Sequence, residues 1–286
     1  LILQLVDLLH HHFLHHQILP IYHHHHNYIH HQHTDNKNHL EDIFDIETDT
    51  INKPTKVIVG RKISEKLAFS AYVTFTSIGV ILGFYVSNLI NQNTLSSIFV
   101  IVSVLLYLYA VQLKRTILVG NIIISILVAS SVLIVGVFDL FPAITVKNQV
   151  TQSTFFFIII DYALFAFLIN LLREIIKDIQ DINGDHKANM ITLPIAIGID
   201  RTLKIVFFIS CLPIMAVIYY IVIYLYNYNL AVGYFLLFLL GPLLYFSLRL
   251  LKPVSNKDLV SLSSLLKIIM FFGVLSLLLY PFIIKP

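Results

Sequence analysis

The chain has 286 residues, 57% of them hydrophobic and only 12% charged, with a mean hydropathy of +0.83. A soluble domain carries about 25% charged residues, so a water-soluble globule is excluded and most of the chain reads as dissolved in lipid. The net charge of +3 is too small to argue for a nucleic-acid partner, and the single cysteine, Cys211, excludes an intrachain disulfide or a cysteine-built zinc site.

Residues 1–40 stand apart from that composition. Thirteen of the fourteen histidines fall between His10 and His39, and the run His23–His26 with the polar stretch after it would be very costly in a bilayer. Such a tract reads as a peripheral or disordered leader, or as a segment able to bind Zn or Ni. Asp42, Asp45 and Asp49 follow, spaced i, i+3, i+7, and run into Asn52-Lys53-Pro54, where proline disfavours further helix. The next stretch carries Lys56, Arg61 and Lys62 around Gly60. It would suit a phosphate, although any loop flanking a membrane span on the cytoplasmic side is basic.

Apolar runs of spanning length, about 20 residues each, then occur at Leu67–Ile90, Leu95–Leu113, Leu118–Phe138, Phe155–Leu172, Ile205–Tyr226, Leu230–Leu248 and Ile268–Ile284. All are expected to be helices, because a helix satisfies its own backbone hydrogen bonds in lipid. The fold class expected is an all-α polytopic bundle, kinked at Pro213, Pro242 and Pro281. Sixteen Lys and Arg residues fall on one set of alternate loops and two on the other. The basic side is therefore expected to be cytoplasmic, with the C-terminus outside a plasma membrane.

At the cytoplasmic end of the fourth span the first spacing returns, as Asp178, Asp181 and Asp185 after Arg173-Glu174. On a helix, positions i, i+3 and i+7 lie within about 60° of one another, so each trio forms a narrow acidic stripe, and both stripes belong to one membrane face. Carboxylates about 5.5 Å apart repel by roughly 3 kcal/mol at an effective dielectric of 20. A hard divalent cation relieves that repulsion; Mg²⁺ in particular keeps several waters and shares its shell with phosphate oxygens. A solvated acidic helix end is the plain alternative. Gly184 is expected to loosen or end the helix before Asp185. On the same side, Lys114-Arg115 form a second short basic loop, with Tyr109 five residues earlier and Asn121 just inside the next span.

These residues resemble a known family. Asp42 through Asp49, Asn52 and Pro54, followed by Gly60 and Ser64, resemble the first aspartate motif of UbiA-type intramembrane prenyltransferases. Arg173-Glu174 through Asp185, then Thr192-Leu193-Pro194 and Gly198, resemble the second, and Tyr109, Lys114-Arg115 and Gly120-Asn121 resemble the segment between them. The first motif departs from the family in one respect: Glu41 stands where an asparagine is usual. The resemblance implies nine helices around a cavity open to lipid, and transfer of a polyprenyl group from an allylic diphosphate through a carbocation. It implies two Mg²⁺ ions held by Asp42, Asp45, Asp49, Asp178, Asp181 and Asp185. Diphosphate contacts are implied for Asn52, Lys56, Arg61, Lys114 and Arg115, with Tyr109 and Lys114 beside the reacting centre. The phrasing of both motifs is most similar to members that geranylgeranylate geranylgeranylglyceryl phosphate. Members of quinone pathways, with hydroxybenzoate or dihydroxynaphthoate as acceptor, share the same metal motifs.

The resemblance covers residues 41–286, which are expected to form one transmembrane prenyltransferase domain. Its abrupt onset suggests another origin for residues 1–40, since a shifted reading frame turns CAT codons for histidine into ATC codons for isoleucine. Elsewhere, Asp161 within the fourth span is expected to pair inside the bundle, Cys211 to pack, and Gly79, Gly83 and Gly136 to mark close helix contacts. A cation transporter, the rival class, should place its acids near the bilayer midplane. A CDP-alcohol phosphotransferase should show a continuous glycine-rich motif that is missing here.

Overall fold

The computed structural model describes Asn52 and residues 64–280. The His-rich segment, Asp42, Asp45, Asp49, Lys56, Arg61 and Pro281 lie outside the described residues. All regular structure among the described residues is helical: α1 (Glu65–Leu89), α2 (Ser96–Val111), α3 (Val119–Leu140), α4 (Gln149–Lys187), α5 (Leu193–Ile197), α6 (Ile199–Tyr220), α7 (Asn229–Phe235), α8 (Gly241–Leu250) and α9 (Asn256–Leu275). A π-helical turn, Ile221–Leu225, extends α6, and another, Leu236–Leu240, joins α7 to α8 as one rod. Seven stretches are long and apolar enough to cross a membrane, at the seven positions where hydropathy places them. The protein is a multi-pass helical membrane protein.

Two helices outrun the apolar segments that predict them. α4 has 39 residues, about 58 Å at 1.5 Å per residue, against roughly 30 Å of hydrocarbon. It does not end at Gly184 but continues to Lys187, carrying all three aspartates of the second motif. α9 starts at Asn256 rather than near Ile268, because a capping box starts the helix there. Ser255 N donates to Asp258 Oδ2 at 2.8 Å, and Arg249 Nη2 meets the same carboxylate at 2.7 Å. Such reciprocal caps satisfy the orphan groups of a first turn.

The prolines are accommodated differently from one another. α6 continues through Pro213 as helix. Pro242, in the first turn of α8, follows directly on the π turn Leu236–Leu240. That wider turn gives room for a ring that cannot donate a hydrogen bond and crowds the carbonyl four residues back.

α4 is the central element. Its Leu172, Ile175 and Ile176 are fully buried against Val206 of α6, Phe246 of α8 and Leu266 of α9. In lipid, burial of apolar surface supplies little drive for helix association, and close packing and interhelical hydrogen bonds replace it. Two of the three glycines expected at contacts do this: a Cβ on Gly83 would lie 2.3 Å from the Phe99 ring, and one on Gly136 would lie 2.8 Å from Ile159. Gly79 has open space around it among the described residues. Ser210 of α6 and Ser247 of α8 share a buried hydroxyl pair at 2.6 Å. Cys211 is half-buried, with its thiol toward the Phe207 carbonyl. Asp161 is not inside the bundle as expected: it is exposed, and no hydrogen bond joins it to another described residue.

Candidate functional site

The acidic end of α4 is built around buried charge. Arg173 and Glu174 are only 4% and 7% exposed. Arg173 Nη1 donates to Glu174 Oε1 at 2.8 Å, and Lys177 Nζ reaches the same carboxylate at 3.2 Å. Two cations thus flank one acid where the helix leaves its apolar run. A buried charge is tolerated only with such partners. One and two turns on, Asp178 and Asp181 are half-buried and Asp185 is buried.

α3 supplies the second wall. Asn121, in its first turn and buried, donates from Nδ2 to Asp178 Oδ2 at 2.7 Å. One turn further, Ser125 donates to the Asn121 carbonyl at 2.6 Å and accepts from Asn170 Nδ2 of α4 at 3.2 Å. Asn121, Ser125, Asn170 and Asp178 therefore form a polar seam between α3 and α4. Asn170 is fully buried, and its Oδ1 lacks a partner among the described residues.

The basic turn is locked onto the start of α3. Leu113–Arg115 form a 3₁₀ turn, and Leu118 adopts a left-handed φ of 61° to bring the chain into α3. At Gly120 any side chain is excluded, since a Cβ would lie 2.5 Å from the Leu113 carbonyl oxygen and 3.0 Å from the Lys114 Cα. The Arg115 carbonyl in turn accepts from Ile191 N at 3.0 Å, in the segment just after α4. Met190 N returns to the Asp185 carbonyl at 2.9 Å, and Thr192, Leu193 and Pro194 are buried beneath. Lys114 and Arg115 are thus fixed at the end of the bundle that carries Asp178, Asp181 and Asp185.

Asn52 comes to the same place from far away in the sequence. Its Nδ2 donates to the Asp181 carbonyl at 2.9 Å, and its Oδ1 accepts from Gly184 N at 2.9 Å. Both polar atoms of its amide are engaged with the α4 backbone. Tyr109 sits on α2 and packs with Ile124 and Leu127 of α3 in a small buried cluster.

Among the described residues no three acidic, imidazole or thiol groups surround one point; the second trio lines a stripe. Oxygen donors with open coordination positions suit Mg²⁺, which fills its shell from water and phosphate. Asn121 occupies one oxygen of Asp178 and so orients the other. The residues present fit a hard divalent cation shared with a phosphate.

A cavity of about 440 Å³ lies between α3, α4 and α9, with a largely apolar lining that includes Val135, Phe155, Phe165, Ala166, Met270 and Leu277. Ala166 is twelve residues before Asp178, about 18 Å along α4.

Sequence reasoning found the charged members of this end of the bundle and noted Asn121, but gave Asn121 no role. It missed Ser125 and Asn170. The available signal was a lone asparagine between Ile169 and Leu171 in an otherwise apolar run.

Comparison with known proteins points the same way. A model of the UbiA prenyltransferase family matches residues 38–275. The chain is 32% identical over 255 residues to the digeranylgeranylglyceryl phosphate synthase of Korarchaeum cryptofilum, covering 86% of this chain and 80% of that one. It is 30% identical to the synthase of that name from Thermococcus sibiricus, over 85% of this chain and 78% of that one. For Methanococcus aeolicus the figures are 34%, 84% and 77%. A solved structure of a digeranylgeranylglyceryl phosphate synthase in membranes is similar with a TM-score of 0.51 and 29% identity, over 82% of this chain and 77% of that one.

Proposed function

The chain belongs to the UbiA prenyltransferase family, and on that premise we propose that it transfers a geranylgeranyl group from its diphosphate to the free hydroxyl of geranylgeranylglyceryl phosphate. The observation that carries the acceptor is the set of digeranylgeranylglyceryl phosphate synthases 30–34% identical to this chain over most of its length.

In the proposed reaction the bond between C1 of the donor and its bridging oxygen breaks, and the diphosphate leaves with the electron pair. The acceptor hydroxyl oxygen then gives a pair to C1, and its proton is released. Two Mg²⁺ ions, when bound by the two aspartate motifs, supply the charge that stabilises the departing diphosphate. Lys114 and Arg115, seated by Gly120 and Ile191, add fixed positive charge at that end. Asn121 keeps the Asp178 carboxylate aimed. The apolar cavity along α4 gives the isoprenoid chain a dry wall, and excluding water there protects an allylic cation from hydrolysis. Tyr109 is assigned to the wall behind the reacting carbon, and Lys56 and Arg61 to the diphosphate. The concentration of Lys and Arg at the aspartate end supports a cytoplasmic location for it.

The test is transfer of radiolabelled geranylgeranyl diphosphate by membranes containing the protein. Offered geranylgeranylglyceryl phosphate, hydroxybenzoate and dihydroxynaphthoate in parallel, only the glycerol lipid should gain label, and only with Mg²⁺. Label on an aromatic acceptor alone would overturn the assignment.

A further inference from the structure

We propose that Arg173, Asn170 and Lys267 form the headgroup site of the acceptor lipid: Arg173 Nε and Lys267 take its phosphate, and Asn170 Oδ1 takes the hydrogen of its free hydroxyl. This rests on the reading that the acceptor is a glycerol lipid carrying a phosphate monoester. The three residues continue the walls of the apolar cavity toward the aspartates. On α4, Tyr162 and Ala166 line the cavity, and Asn170 and Arg173 follow Ala166 at i+4 and i+7, a spacing that keeps residues on one face. On α9, Met270 and Val274 line it, and Lys267 precedes them by three and seven residues. The two helices run antiparallel in a register fixed at two points. Gln180 Nε2 donates to the Leu259 carbonyl at 3.1 Å, and a Cβ on Gly273 would lie 2.8 Å from the Phe165 ring. Lys267 falls near the middle of that interval on α9, as Asn170 and Arg173 do on α4.

Lys267 directly precedes the apolar run Ile268–Ile284 and reads as a loop residue, but α9 starts at Asn256. The lysine is therefore half-buried inside a spanning helix, where a charge calls for a partner or a function. Arg173 Nε and Asn170 Oδ1 are buried and lack a partner among the described residues. One donates and the other accepts, one turn apart, and leaving such groups unmet costs free energy. Glu174 takes Arg173 Nη1, and Nε is left over. A phosphate beside a hydroxyl complements the set, with oxygens for Arg173 and Lys267 and an O–H for Asn170. Asn170 lies eight residues before Asp178, about 12 Å along α4. That is between the cation stripe and the dry wall, the level at which C1 joins the donor's diphosphate to its chain.

The experiment measures binding of radiolabelled geranylgeranylglyceryl phosphate, and of geranylgeranylglycerol, which lacks only the phosphate, to the full chain in lipid nanodiscs without donor. The thermal unfolding midpoint reports folding. Wild type should bind the phosphorylated lipid more tightly by about tenfold or more. Lys267→Gln should remove about tenfold of that preference while the phosphate-free lipid binds as before. Arg173→Lys keeps a cation for Glu174 but has no Nε, and should weaken the phosphorylated lipid about fivefold. Asn170→Leu removes the hydroxyl's partner and should weaken both lipids alike, by about threefold. Equal affinity of wild type and Lys267→Gln for the phosphorylated lipid, or an equal loss for both lipids, would overturn the headgroup site. Binding of the phosphorylated lipid by wild type without transfer from geranylgeranyl diphosphate would overturn the proposed function and leave the site standing. If Lys267→Gln does not fold, Arg173→Lys is read by the same criterion, and failure of both to fold assigns the cluster to stability and overturns the proposal.

Discussion

The two halves of α4 treat polarity in opposite ways. From Asn170 onward the helix buries Arg173, Glu174 and Asp185: Arg173 and Glu174 pair with each other, Asn121 of α3 meets the neighbouring Asp178, and Asn52 meets the backbone at Asp181 and Gly184. Before Ala166 the helix faces an apolar cavity, and its one acid, Asp161, is exposed. The same rod thus separates a preorganised charged end from a dry apolar one. A reaction that ionises a diphosphate and shelters a long hydrocarbon needs both, joined rigidly.

The sharpest break in that division would come from the charged half. Asp178→Ala or Asp181→Ala should lower the transfer rate by about 10³-fold, the scale of losing a principal transition-state stabiliser, measured at saturating donor and acceptor. Gly120→Ala should come next. Its methyl group would meet the Leu113 carbonyl, and overpacking of this kind costs about 1–3 kcal/mol. The basic turn should shift, the unfolding midpoint fall, and diphosphate KM rise more than acceptor KM. Asn121→Leu keeps the volume but removes the donor to Asp178. Loss of such an orienting hydrogen bond costs 10–100-fold in metal affinity or activity, so the Mg²⁺ concentration giving half-maximal rate should rise by about that factor. In the apolar half, Val135→Phe should leave Mg²⁺ dependence untouched and act on chain length instead. It should favour a shorter prenyl donor over geranylgeranyl by about tenfold in kcat/KM, within the range a hydrophobic pocket can discriminate.

Much of this was legible without coordinates, for physical reasons. Seven spans follow from hydropathy because lipid permits few alternatives to a helix. The aspartate stripe on α4 follows from i, i+3, i+7 spacing alone. What stayed hidden is whatever depends on which helices touch. Nothing in the sequence pairs Asn121 with Asp178, 57 residues away, or Asn52 with a backbone turn more than a hundred residues on. The start of α9 lies before its apolar run because hydropathy marks where lipid stops, whereas capping decides where a helix starts. Gly184 reads as a breaker on propensity, but in the fold its N–H is taken up by Asn52.

The smallest effect expected is at Asp161, and it sharpens the comparison most cleanly. An acid within a span is by default a functional candidate, and Asp161 lies beside a cluster of tyrosines that could make use of it. Those tyrosines are already satisfied, however: the Tyr220 and Tyr280 hydroxyls bond each other, and the Tyr162 hydroxyl pairs with Ser276. Asp161 is seventeen residues before Asp178, about 25 Å along the helix, too far to share a cation with it. Asp161→Asn should therefore change the transfer rate less than twofold, and, because it removes a charge from a lipid-facing position within a span, it should not lower the unfolding midpoint. Rate and unfolding midpoint measured on the same nanodisc preparation check this. A large loss of rate at an unchanged midpoint would mean that the apolar half of α4 takes part in the chemistry, and the division between the two halves would fail.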